Sequence, residues 1–145
     1  NYDTQGNFGG VAIEQFSQGQ KIPKKTLDES LDVTRLKFIK IDVEGMEQEV
    51  INGAKNTIQQ FQPVIYMEND RQEKSKALIE LMWSLNYVLY WHCPKLFNPN
   101  NYAQDSGNLF PGTVSVNMLC FPKSAKTQLT GFHEITDSHF HPLAQ

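Results

Sequence analysis

Two carboxylates close an apolar run in Leu36-Lys37-Phe38-Ile39-Lys40-Ile41-Asp42-Val43-Glu44-Gly45-Met46-Glu47. A third, Glu68, closes a second run, Val64-Ile65-Tyr66-Met67. His92 follows the aromatic run Tyr87–Trp91, just ahead of a long loop. Carboxylates and an imidazole at strand ends are groups that take up and return protons once their surroundings tune them. Three carboxylates together also suit an oxygen-seeking divalent metal, so such a metal is a candidate cofactor. Structural roles compete with each of these readings. Asp42 and Glu44 fit a helix start, where the dipole favours negative charge. A lone histidine such as His92 is more often structural than catalytic. The histidines at 133, 139 and 141 lie in a polar stretch without metal-ligand spacing, and no metal site is expected there.

The elements that must hold these groups follow from periodicity. Leu36–Ile41 reads as a strand buried on both faces. After Gly45 the period turns helical, with Met46, Val50, Ile51, Ala54, Ile58 and Phe61 recurring over about 46–61, until Gln62-Pro63 stops it. Val64–Met67 is the next strand. Strand, helix and strand fit a right-handed βαβ unit with two parallel neighbours, so Glu68 should emerge beside Asp42. In open α/β sheets ligands bind at that carboxyl edge. Lys40, within the apolar run, reads as a buried lysine in need of a partner, either in a structural ion pair or orienting a carboxylate of the site.

The flanking segments complete an α/β domain. Residues 1–20 are polar and glycine-bearing, with Val11–Ile13 a short strand candidate. Thr26 with Glu29 resembles a capping box. A helix is expected from about Glu73 to Leu85, then Asn86 in a left-handed cap. Residues 92–112 form a loop long enough to be functional. Thr113–Phe121 should pair antiparallel with Tyr87–Trp91. From Lys123 the chain is polar and expected to be poorly ordered, which sets a domain at 1–125 and a tail at 126–145.

With 145 residues, 39% hydrophobic and 20% charged, the chain suits one globular domain. A net charge of −3 argues against nucleic acid as partner. No apolar run approaches membrane-helix length, and no signal peptide is visible, so no membrane association and a cytoplasmic location are expected. Cys93 and Cys120 sit in strand-like apolar runs and read as buried free thiols.

The block Ile39-Lys40-Ile41-Asp42-Val43-Glu44-Gly45-Met46-Glu47 resembles the FkbM family of methyltransferases. The likeness continues through Val50-Ile51-Asn52-Gly53-Ala54-Lys55 and Pro63-Val64-Ile65-Tyr66-Met67-Glu68. Thr26-Leu27-Asp28 upstream, and His92–Asn98 and Val114–Met118 downstream, extend it over roughly residues 7–123. The resemblance implies a Rossmann-like class I fold dependent on S-adenosylmethionine (SAM). It also implies methylation of a hydroxyl on a small molecule or glycan, such as a sugar, polysaccharide or polyketide. The family's glycine-rich SAM turn and acidic ribose partner have no counterpart in this sequence. The chain therefore reads as a partial domain holding strands four to seven, the last antiparallel, with its sheet edge open to self-association.

Among the residues, Asp42 is the first choice for the base, Glu68 for sharing a metal or holding the acceptor, Glu44 third, and His92 the alternative base. Two other functions compete: a non-catalytic assembly half-domain, and a metal-dependent hydrolase built on the three carboxylates.

Overall fold

The computed structural model describes residues 22–144. The candidate strand Val11–Ile13 and the turn before it lie outside the described residues. The elements are α1 (Leu27–Ser30), β1 (Phe38–Ile41), α2 (Glu47–Asn52), α3 (Lys55–Phe61), β2 (Val64–Glu68), α4 (Gln72–Ser84), β3 (Tyr87–His92), β4 (Asn117–Pro122) and β5 (His133–Glu134). They form a mixed α/β domain around one five-stranded sheet, ordered β1-β2-β4-β3-β5.

β1 and β2 pair in parallel, as the crossover spacing requires, with Ile41 opposite Met67. β4 enters antiparallel between β2 and β3. β3 therefore runs parallel to β2, and the carboxyl ends of β1, β2 and β3 share one edge. Paired positions share a face, and the face alternates along each strand. Ile41, Met67, Met118 and Trp91 form one buried row. They join a single core with Ile51 of α2, Ile58 of α3 and Leu78, Ile79 and Met82 of α4. The other face carries Lys40, Tyr66 and His92, and it is more open.

The structure departs from several sequence expectations. The strand at 36–41 is not buried on both faces: among the described residues β1 is an edge strand, and Phe38 is 53% exposed. Lys40 is likewise exposed. The helix expected over 46–61 is two helices. Its apolar spacing runs on through Gly53-Ala54, but α1 docks at that point. Asp28 N donates to Gly53 O at 3.0 Å. The Asp28 carboxylate accepts from Asn56 N, Thr57 N and Thr57 Oγ1 at 3.0, 2.8 and 2.7 Å. It thus caps α3 from a distant segment, taking two of the orphan donors of a new helix start. A Cβ at Gly53 would meet Thr26 at 3.1 Å, so a larger residue there would push α1 outward by a few tenths of an ångström. The capping box of Thr26 and Glu29 forms as expected.

β4 starts later than the expected Thr113, because residues 113–115 pair instead with 94–96. Cys93 is exposed, not buried; Cys120 is buried, and both are free thiols. The segment after Lys123, read as a poorly ordered tail, packs. β5 pairs with β3, Ile135 joins the core, and His141 is buried with Nε2 2.9 Å from Asn69 O. Asn86 takes the left-handed conformation expected of it. Among the described residues no helix is long and apolar enough to cross a membrane.

Candidate active site

The loop after β1 is shaped by its own backbone. Glu44 and Gly45 both have positive φ, 53° and 90°, so the chain reverses tightly before α2. Glu47, buried in the first turn of α2, accepts from Gly45 N at 3.1 Å. Lys74 Nζ donates to Gly45 O at 2.7 Å, which ties this turn to α4. A Cβ on Gly45 would lie 3.4 Å from that Nζ and 3.5 Å from Arg71 Cγ, so the turn is closely covered.

This reversal does not carry Glu44 away. Asp42, Glu44 and Glu68 each place one carboxylate oxygen within 4.8 Å of the others. Two of the three are matched by cations. Lys40 Nζ donates to Asp42 Oδ2 at 2.7 Å, and Arg71 Nη2 to Glu44 Oε2 at 3.0 Å. The hydrogen bond and charge of Asp42 raise the Lys40 pKa, so the lysine stays protonated. Arg71 is also bound to Asp70 through Nη1. Glu68 has no such partner among the described residues. Partial burial, then the charges of Asp70, Asp42, Glu44 and Glu47, push its carboxyl up to about 7.

His92 stands apart from this cluster. Glu68 pairs with Asn117, and Asn117 with His92, so two strand spacings of roughly 5 Å each separate the carboxylate's strand from the imidazole's. The His92 Nδ1 lies 3.0 Å from the Tyr66 hydroxyl, and its ring packs against Phe132. Burial raises the Tyr66 pKa, so the phenol remains protonated. Of the four sequence candidates, then, three converge and the fourth lies along the same edge.

Arg71, Lys74 and Tyr66 were not foreseen. Arg71 and Lys74 begin the segment after Glu68-Asn69-Asp70, and β1–β2 adjacency places them opposite the Asp42–Gly45 loop. The parallel pairing already expected was the available signal.

A family model described as the methyltransferase FkbM domain matches residues 2–89. The chain belongs to this family. No curated protein and no solved structure matches it. The mixed α/β sheet is consistent with a methyltransferase-like fold. An FkbM methyltransferase implies SAM as methyl donor, but the described residues do not form a cradle for it. Gly45 and Gly53 precede helices, yet both are filled, one by Glu47 and Lys74 and the other by Thr26. The carboxylate oxygens suit a divalent cation by donor type. Lys40 and Arg71, however, already neutralise two of them, and a metal would compete with both.

Proposed function

We propose that this FkbM domain catalyses SAM-dependent methylation of a hydroxyl oxygen on a small molecule or glycan. The described site would then be the acceptor side. We further read β1, β2, β3 and β4 as strands four to seven of a Rossmann-like class I domain, with β4 the antiparallel last strand.

Near pH 7 a hydroxyl is almost wholly protonated, so a base must take its proton as the oxygen becomes an ether. A useful base has a pKa near the working pH. Asp42, first choice on sequence grounds, is paired with Lys40, and Glu44 with Arg71. Among the described residues Glu68 is the one of the three without a cation partner, and burial, then the neighbouring carboxylates, push it up to about 7. That single difference among three clustered carboxylates supports Glu68 as the proton acceptor. Asp42 and Glu44 keep its pKa high by their charge, and His92, held by Tyr66, is available to hydrogen-bond the acceptor farther along the edge.

The test is turnover of labelled SAM by a protein carrying this domain. Glu68→Gln keeps the shape and removes the base, and should cost roughly 10²–10⁴-fold in kcat. Asp42→Asn should cost less than about tenfold, because it lowers the Glu68 pKa without removing the base. A near-normal Glu68→Gln with an inactive Asp42→Asn would return the role to Asp42. An inactive His92→Ala with both carboxylate variants active would give it to His92.

A further inference from the structure

After β4 the chain folds back along the β3 edge and closes a cavity of about 360 Å³ against Trp91. That volume is in the range of small-molecule sites. The walls are largely apolar: Trp91 of β3, then Ile135, Phe140 and Pro142 from the returning segment. Glu134 and Asp137 are also among the lining residues, with His133 beside them, and among the described residues no lysine or arginine lines the space. Asp137 Oδ1 accepts from His139 N at 2.8 Å, which fixes that carboxylate and leaves it a second oxygen. The floor is firm. Trp91 and Ile135 are buried, Ile135 N bonds to Leu89 O at 2.8 Å, and His141 packs edge-on against the Trp91 ring.

We propose that this cavity binds a small organic ammonium cation. Apolar walls favour a carbon-rich body by removing it from water. Aromatic rings attract a cation through their quadrupole, most strongly when its charge is spread over alkyl groups and weakly hydrated. Two carboxylates against a single imidazole, that of His133, complement a positive charge and repel an anion. A neutral apolar ligand would use only the first of these features, and an inorganic cation only the last. A quaternary ammonium group uses all three. The proposal does not rest on the methyl-transfer reading, since none of the site carboxylates lines this cavity.

Choline and its uncharged isostere 3,3-dimethylbutan-1-ol differ in a single atom's charge, so they separate these features. Each is titrated into the full chain and followed by amide and indole NMR shifts. Choline should shift the Trp91 indole and amides of residues 133–142, and bind roughly tenfold more tightly than the isostere. Phe140→Ala removes one aromatic wall, and should weaken choline about two- to fivefold. Asp137→Asn keeps the acceptor for His139 N and removes charge; it should weaken choline but not the isostere. Both side chains are exposed, so a thermal melt close to that of the parent chain keeps these comparisons valid. Equal affinity for the two ligands, shifts scattered over the surface, or no binding up to about 20 mM overturns the proposal.

Discussion

Replacing Glu68 by glutamine should make the fold more stable, and only at high pH. The carboxyl is raised from an ordinary 4.5 to about 7, first by burial and then by four neighbouring carboxylates. A raised pKa means the folded state prefers the neutral acid. The stabilising contribution of that neutral form is complete below about 4.5 and is lost as pH rises through about 7. Glutamine is neutral throughout and close to the acid in shape. The two proteins should therefore melt together near pH 4 and separate above pH 7, with the glutamine form higher. Glu68 is only partly buried, so the linkage must be discounted for solvent screening, to about 1 kcal/mol. For a chain of this size that corresponds to roughly 3 °C. Melting followed by circular dichroism at a series of pH values measures it. A gap equal at pH 4 and 8, or a glutamine variant that melts lower at pH 8, would refute the electrostatic picture of the site. The sign is also what a functional group predicts: a residue poised for chemistry is held where the fold gains by losing its charge.

Three further outcomes are expected. Burial pushes the Asp28 carboxyl up, but the hydrogen bonds from Thr57 and Asn56 outweigh it and hold the group below 3.8. Asp28→Ala should then cost about 1 kcal/mol, the usual worth of a helix cap, and the loss should disappear as pH falls through the folded-state value. The isolated chain should show no low-micromolar SAM isotherm in calorimetry, because the described residues offer no open glycine turn; a clear isotherm would place the donor site on this segment. Phe38 and the unpaired backbone of β1, an edge among the described residues, should drive self-association, seen as a concentration-dependent rise in sedimentation coefficient; a sharp monomer at high concentration would count against it.

Much of the site was legible because it depends on local pattern. An apolar run ending in Asp42, a glycine turn, a helical stretch and a second run ending in Glu68 dictate a parallel pair, and a parallel pair dictates that the two carboxylates meet. What pattern could not supply was contact between distant segments. The break at Gly53-Ala54 comes from Asp28, in a distant segment of the chain, and the helical spacing of the apolar residues runs straight across it. Lys40 sits in an apolar run, which suggested burial, but burial depends on which strands flank β1. Lys40 was placed beside a site carboxylate by its position two residues before Asp42, but the pairing of Arg71 with Glu44 joins segments that local pattern does not connect. The segment after Lys123 looked dispensable by composition. Its anchors, Ile135 and His141, are isolated apolar and buried residues within polar sequence, too sparse to register as a period.

The proposed role of Glu68 depends on its protonation, which can be read without knowing the acceptor. Carbon-13 NMR of the Glu68 carboxyl, assigned by comparison with Glu68→Gln, gives its titration midpoint directly. A midpoint near 7, moving down when Asp70 or Asp42 is neutralised, is the predicted result. A midpoint near the ordinary 4.5, unmoved by either substitution, would contradict the assignment of Glu68 as the base.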